Sequence, residues 1–394
     1  MIAALRAEFN AAWTPERYKA YVDAIEHRVG VHVEFPLSET PCFFPVALME
    51  RLIDVSHEFL RQLLDNPAYL KAAQAITPEK YRVHNGEDRP TFVCVDFGLV
   101  KTETGIEGRL VELQAFASLF GFQMALAETS VDVYGLHHLT PFFGGLDRTG
   151  YLNLVGKAIK GDHDPIEVVL MDLNPEQQKT RPDFVATEQL WGVKAIDPSA
   201  VLRDGRRLFY KRDGKLVRIA RVYNRVIPDE LEHKGVTLPF DYRDDLDVEW
   251  AGGPNWFFEV SKFGIPWLKH PSVPHTRYLS DVKELPADRD RWLLKPLFSF
   301  AGGGIIFAPT DAQIAAIPER ERHLYLLQER LSFTPAIDTP EGATQAEVRI
   351  MMVRDRDRYR ALVPLIRMGR GKMMGVDHNK GLRWVGGTAG LMPT

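Results

Sequence analysis

The chain has 394 residues, 45% of them apolar and 26% charged, with a formal net charge of −4. This is the profile of a globular chain of two or three domains at about 100–200 residues each, and the charge argues against a general nucleic-acid binder. Two cysteines, Cys42 and Cys94, argue against a disulfide framework, and no apolar run approaches the ~18–20 residues of a membrane span. The opening "MIAALRAEFNAAW" lacks a leader-like apolar stretch, so the cytoplasm is the expected compartment.

Residues 1–88 read as a helical lobe. In "ALMERLIDVSHEFLRQLLDN" (47–66), Leu48, Leu52, Ile53, Val55, Phe59, Leu60, Leu63 and Leu64 recur at helical spacing, and Asn66-Pro67 ends the run. From residue 91, "TFVCVDFGLV" reads as a strand, "GIEG" (105–108) as a turn and "RLVELQAF" as the returning strand. Residues i and i+2 share a strand face, so Glu112 and Gln114 point the same way, and Asp96 joins them if the strands pair. Two carboxylates and an amide oxygen suit half the shell of a Mg2+ ion; the bland reading is a solvated hairpin face. "FASLFGFQMALAETSVDVYGL" reads as a mostly apolar helix and "PFFGGLDRTG" as a loop, closing a unit over 89–160.

Residues 161–255 read as an α/β unit. "IEVVLMDLNP" is a buried strand that breaks at Asn174-Pro175, "PDFVATEQLWGV" a helix, and "KAIDPSAVL" a connection. A hairpin over Asp213-Gly214 and a further strand follow. Arg181 falls in the loop after the buried strand, where α/β sheets bind ligands. It reads as a clamp for a substrate carboxylate or as a surface ion pair, and Asn224 and Arg225, in "RVYNR", read as further substrate contacts or as plainly exposed strand residues.

"AGGPNWFFEVSKFGIPWL" reads as loop plus helix, and from about 290 strands dominate, interrupted by a helix capped by Thr310 or Asp311. In "RWLLKPLFSFAGGGIIFAPT" (291–310), Lys295 precedes Gly302, Gly303 and Gly304. A phosphate needs a cation and backbone N–H groups that approach closely, which glycine permits by lacking a Cβ. A Walker loop places its lysine after the glycines at the head of a helix, so this is instead a glycine flap between strands, or a plain hairpin beside a surface lysine. "YLLQERL" ends in Gln328-Glu329, suited to the edge of an adenine ring or to a solvated strand end. "AEVRIMMV" sets Glu347 and Arg349 on one strand face, and "LIRMGRGKMMG" supplies Arg367, Arg370 and Lys372, a cationic loop suited to a transferring phosphoryl group. The histidines lack zinc-like spacing, and Ser118 and Ser299 lack a nucleophile elbow.

The order Lys-Pro, glycine loop, "LLQERL", "EVRIM" resembles the nucleotide-binding half of the ATP-grasp superfamily over about 290–394. The Glu-x-Asn usual near the C-terminus is missing there; Glu347, Asp377 and Asn379 are what that stretch offers. Upstream, Asp96 and Glu112-x-Gln114 resemble the acidic hairpin of the circularly permuted ATP-grasp group, the glutathionylspermidine synthetases, with eukaryotic glutathione synthetases further off. The resemblance implies an α/β (α+β) fold. Its parts would be a permuted ATP-grasp core over 89–160 and 256–394, a pre-ATP-grasp-like substrate region over 161–255, and the helical lobe. It also implies ATP and Mg2+. Asp96, Glu112 and Gln114 would hold the metal, while Lys295, Gly302, Gly303, Gly304, Gln328, Glu329 and Lys262 would hold the nucleotide. Arg181, Asn224 and Arg225 would hold the substrate, and Arg367 with Lys295 would stabilise the transferring phosphoryl. Two departures stand out: Gln114 replaces an asparagine, and Trp256 falls where the family's ATP-contacting lysine lies, with Lys262 or Arg277 as replacements. The implied reaction joins a small or peptide carboxylate to an amine through an acyl phosphate, releasing ADP and phosphate. A nucleotide-binding regulator without catalysis and an ATP-dependent small-molecule kinase are the alternatives. All of this requires the acidic hairpin to face the lysine strand.

Overall fold

The structure is a computed structural model that describes residues 1–116, 118–299, 303–371, 374, 379 and 381–394. Gly302, Lys372 and Asp377, named above, lie outside the described residues. The chain opens with α1 (Ala3–Ala12) and α2 (Pro15–Val29), the second capped by the Thr14 side chain and closed by left-handed Gly30. β1 (Cys42–Phe43) leads into α3 (Val46–Leu64), whose stripe of Leu48, Leu52, Phe59, Leu60 and Leu63 is buried as its spacing predicts. Asn66 caps α4 (Pro67–Ile76). β2 (Phe92–Thr102) and β3 (Gly105–Gln114) form the hairpin, turning before Gly105 rather than within 105–108. α5 (Phe120–Tyr134) is buried almost all round. β4 (Leu139–Thr140) precedes α6 (Arg148–Lys160), a helix begun by the Asp147 cap inside the stretch read as a loop.

β5 (Val168–Met171), α7 (Arg181–Trp191) and β6 (Lys194–Ile196) follow, the last inside the predicted connection. Then come β7 (Leu202–Asp204), β8 (Arg207–Arg212), β9 (Lys215–Ile219), β10 (Arg221–Asn224), α8 (Pro228–Lys234), β11 (Glu249–Ala251) and α9 (Trp256–Glu259). The final third holds β12 (Thr276–Tyr278), β13 (Trp292–Pro296), β14 (Ile306–Phe307), α10 (Asp311–Ala315, with a Thr310 capping box) and β15 (Tyr325–Glu329). It ends with β16 (Pro335–Ile337), β17 (Thr344–Asp355), β18 (Arg358–Gly369) and β19 (Gly386–Pro393).

The largest sheet runs β1-β19-β18-β17-β2-β3, with β16 beside β17 and β4 beside β19. It joins the hairpin of the first third to strands of the last third, since β17 pairs antiparallel with β2 and sets Arg349 opposite Asp96 and Met351 opposite Cys94. The strand period of two sorts this sheet into two faces. On one, Val93, Val95, Phe97, Leu99, Val348, Ile350 and Met352 meet the stripe of α3 in the main apolar core. On the other, Phe92, Cys94, Met351, Val353 and Leu365 pack on residues of α5, α6 and β5. Along this second face the alternation then delivers Asp96, Glu347, Arg349 and Arg367, so an apolar surface passes directly into a charged one.

A smaller sheet, β11-β10-β5-β6, is parallel throughout. Its carboxyl ends present Asp172, Asn224 and Arg225, and the Gly252-Gly253 turn. Another, β12-β15-β13-β14, sets Lys295 opposite Leu326 and Leu293 opposite Gln328. The hairpin β8–β9 turns at Asp213-Gly214, as its sequence predicts, and carries β7. The architecture is a mixed α+β one. Among the described residues no helix is long and apolar enough to cross a membrane.

Candidate functional site

The charged face is built from four neighbouring strands, β18, β17, β2 and β3. Asp96 on β2 is directly opposite Arg349 on β17 and opposite Glu112 on β3, beside a bulge between Asp96 and Phe97. Arg349 donates to both carboxylate oxygens of Asp96, from Nε and Nη2, each at 2.7 Å. This bidentate, charge-assisted pairing is the strong form of the interaction. Arg367 on β18 donates from Nη2 to Asp96 Oδ2 and lies 2.8 Å from Glu347 Oε1. With its amide oxygen turned to the guanidinium, Gln114 accepts from Arg349 Nη2 at 2.6 Å and Nη1 at 3.1 Å.

Asp96, Glu347 and Arg349 are buried, Asp96 at 2% exposed, while Gln114 and Arg367 are half-buried. Burial alone would push the Asp96 carboxyl up, but the Arg349 and Arg367 guanidiniums outweigh that and hold it below the usual carboxylate range. Glu347 goes the other way, raised by burial and by the Asp96 charge, with Arg367 offsetting only part. The Phe333 ring covers the next position of this face, at Gly98, where a Cβ would come within 2.4 Å of it.

Across from this cluster stands Lys295, near the end of β13 and 6% exposed. Burial lowers its ammonium from 10.5 to about 8, with Glu112 pulling upward and Lys262 downward. Among the described residues no carboxylate lies within ion-pairing distance of it. Lys262 donates to the Ser299 carbonyl at 3.1 Å and stands 3.5 Å from Glu112 Oε1, so it ties the hairpin to the loop after β13. In that loop Gly304 has φ +72°, and an added Cβ would meet Pro296 at 2.8 Å. Only glycine fits that turn, and exposed Gly303 precedes it. Gln328 shares the Lys295 face of the sheet and is buried, donating to Thr276 Oγ1 at 3.0 Å.

The parallel sheet closes a third side. Arg225 follows β10, its guanidinium 5.4 Å over the Phe116 ring in the loop after Gln114. Its charge is felt by Asp172 and Asp183 on one side and Cys94 on the other. Asn224 is 2% exposed, and its Nδ2 has no hydrogen-bond partner among the described residues. Burial pushes the Asp172 carboxyl up to about 7, with Arg225 opposing. Asp183 accepts from the backbone N–H groups of Leu119, Gly121 and Phe122 at 2.9–3.0 Å, fixing the start of α5 and the loop that leads from β3.

The structure therefore brings Asp96, Glu112, Gln114, Lys262, Lys295 and Arg367 together. Other expectations need correction. Arg181 makes an outward ion pair with Glu176 at 2.7 Å, the alternative its sequence already offered. Glu329 turns to the opposite face of β15 and pairs with Arg291 at 2.5 Å, so its side chain is committed elsewhere. Trp256 is buried in the main core, and Lys262, not exposed Arg277, stands at the site. Arg370 is pinned to Thr339 and Gly342 rather than open to a phosphoryl group.

The metal ligands are the largest departure. Both Asp96 oxygens and the Gln114 oxygen face guanidinium N–H groups, and among the described residues no cluster of three acidic, histidine or cysteine side chains is arranged to hold an ion. The donor set as it stands does not fit Mg2+, because a dication there would sit against Arg349 and Arg367. Sequence reading put Glu347 and Arg349 on one face without giving them a role; the Glu-x-Arg spacing on a strand was the signal. Asp172 carried a weaker one, as the acid ending a buried strand. Phe333 carried none. A cavity of about 630 Å³, lined by Glu87, His163, Arg221 and Glu249, lies at the outer edge by β11, away from Lys295, and its Arg221, His163 and Glu249 are paired with one another.

No family model matches this sequence, and no curated protein matches it. Among solved structures it is similar to a glutathione synthetase-like effector from Globodera pallida, determined in the apo form. The identity is 14%, the TM-score 0.56, and the match covers 90% of this chain and 93% of the other. At that identity the likeness is one of fold, and it spans nearly the whole of both chains: this protein has a glutathione synthetase-like fold.

Proposed function

We propose that the chain is an ATP-dependent ligase that joins a small or peptide carboxylate to an amine through an acyl phosphate. The observation that carries this reading is Lys295: a buried ammonium with no carboxylate in ion-pairing distance among the described residues, beside a glycine turn and on the side of Glu112, Glu347 and Lys262. Burying a charge without a partner is costly, and a phosphate would supply the missing one. The glutathione synthetase-like fold supports the reaction class. In this reading Lys295, Lys262 and the flap amides hold the phosphates, and buried Gln328 borders the adenine. Arg367 stabilises the phosphoryl group as it moves to the carboxylate. The acceptor lies over the carboxyl ends of the parallel strands, at Asn224 and Arg225. The amine then attacks the acyl phosphate and phosphate leaves. The protein contributes positioning and charge neutralisation.

A second reading, nucleotide binding without turnover, is favoured by one feature: Asp96 and Gln114 are locked to Arg349. Incubation with ATP and pooled small carboxylates and amines, read by ADP release and by mass spectrometry for new amides, separates the readings. Amide with stoichiometric ADP that disappears in Lys295→Met is the expected result. Retained nucleotide without ADP favours the second reading. A stable phosphorylated product marks a kinase, and no nucleotide binding overturns all three.

A further inference from the structure

We infer that the Arg349 guanidinium permanently fills the position between Asp96 and Gln114 that the acidic hairpin would otherwise give to a divalent cation, so that this site holds no divalent ion and takes its polyphosphate ligand metal-free. The inference rests on the proposed nucleotide site for its ligand, but on geometry alone for Arg349.

Three observations converge on it. First, Arg349 is placed by register and not by chance of rotamer: it is the direct cross-strand partner of Asp96, which is in turn the cross-strand partner of Glu112. Its fork meets both Asp96 oxygens at 2.7 Å. An arginine does not deprotonate in a protein, so this positive charge is present at every working pH.

Second, the longer amide at position 114 acquires a purpose. Gln114 pairs with Cys94 on β2, while Arg349 lies on β17 beyond it. Two strand spacings and an offset of two residues along the strand separate their backbones by about 12 Å. Glutamine and arginine together bridge that gap, reaching 2.6 Å. An asparagine, one methylene shorter, would fall short. The substitution that weakens a metal set thus completes a guanidinium cradle.

Third, the carboxylates are already more than neutralised without an ion. Arg367 supplies a second guanidinium to Asp96 and also meets Glu347. Lys295 and Lys262 face Glu112. Four cationic side chains therefore stand against three carboxylates, and burial drives one of these, Glu347, toward its neutral form. An anionic ligand suits that surplus; a dication adds to it.

The test uses the full chain and Mn2+ as probe, followed by electron paramagnetic resonance with and without the non-hydrolysable analogue adenylyl imidodiphosphate. Equilibrium dialysis of the analogue is run alongside, in EDTA and in Mg2+. The expected result is no protein-bound Mn2+ in the wild type, and analogue affinity that differs by less than about tenfold between EDTA and Mg2+. Arg349→Gln, which frees Asp96, should gain Mn2+ binding by about tenfold or more. Protein-bound Mn2+ in the wild type that disappears in Asp96→Asn overturns the inference, as does analogue retained only with Mg2+. The wild-type measurements decide the matter even if Arg349→Gln does not fold. If no analogue binds in either condition, the nucleotide reading falls and the Mn2+ arm alone still decides the place of Arg349.

Discussion

Replacing Lys295 by methionine should make the protein more stable while removing its ligand binding. The reasoning starts from the ammonium, which burial lowers from 10.5 to about 8. A group whose pKa is lower folded than unfolded holds its proton more tightly in the unfolded chain, so folding is penalised wherever that proton is bound. At about 1.36 kcal/mol per tenfold change in proton affinity, the penalty below pH 8 is about 3 kcal/mol. It fades as pH rises toward 10.5. Methionine has similar length and no charge, so Lys295→Met should gain about 3 kcal/mol at pH 7, and the gap should narrow to about 1 kcal/mol at pH 10. With about 2.1 cal/mol/K of unfolding entropy per residue over 394 residues, that gain is about 4 °C in Tm. Paired thermal scans of both proteins at pH 7 and pH 10 read the difference, with titrations common to the two cancelling. Adding an ATP analogue should raise Tm in the wild type and leave the variant unmoved. A variant less stable than wild type at pH 7, or a gap that does not change with pH, would refute the argument that Lys295 is an uncompensated buried charge.

Other perturbations have equally definite outcomes. The Asp172 carboxyl is raised to about 7 by burial, so the folded state binds its proton more tightly than the unfolded chain, and stability falls as pH climbs from 3.8 to 7. Asp172→Asn should be up to about 4 kcal/mol more stable than wild type at pH 8 and equal to it near pH 4, by urea titration. Asp183→Ala strips the acceptor from three backbone N–H groups at the start of α5 and should cost about 2–4 kcal/mol, with early hydrogen exchange at Gly121 and Phe122. Gly98→Ala drives a methyl to within 2.4 Å of the Phe333 ring and should cost about 1–3 kcal/mol; a double variant with Phe333→Ala should recover part of it.

Much of the secondary structure was legible, and the reasons are local. The stripe of α3, the Asp213-Gly214 hairpin and the Thr310 cap are each set by residues within one or two turns of chain. The alternation in "TFVCVDFGLV" and "AEVRIMMV" also named which residues share a face. The convergence of Asp96, Glu112, Gln114, Lys262, Lys295 and Arg367 followed from the resemblance in order of motifs rather than from any spacing.

What failed to be read depended on partners remote in sequence. Asp96 looked like a metal ligand because hard acids on a hairpin suit a cation. Its actual partner, Arg349, is 253 residues away and becomes adjacent only through the pairing of β17 with β2. Arg181 and Glu329 were judged by loop and strand position; the Arg181 side chain turns to Glu176, and the alternation of β15 sets Glu329 on the face away from Lys295. α6 was missed because glycine and proline before it masked the Asp147 cap.

The pairing of β2 with β17 also governs how the polypeptide must be made. Until residues 344–355 have emerged from the ribosome, the strand Phe92–Thr102 has a hairpin neighbour on one side and an open, largely apolar edge on the other. A chain stopped short of residue 344 therefore presents a sticky template for other copies of itself. Fragments that end there should precipitate unless the missing strand is supplied in trans, and a fragment beginning before residue 344 is the natural complement with which to rescue them.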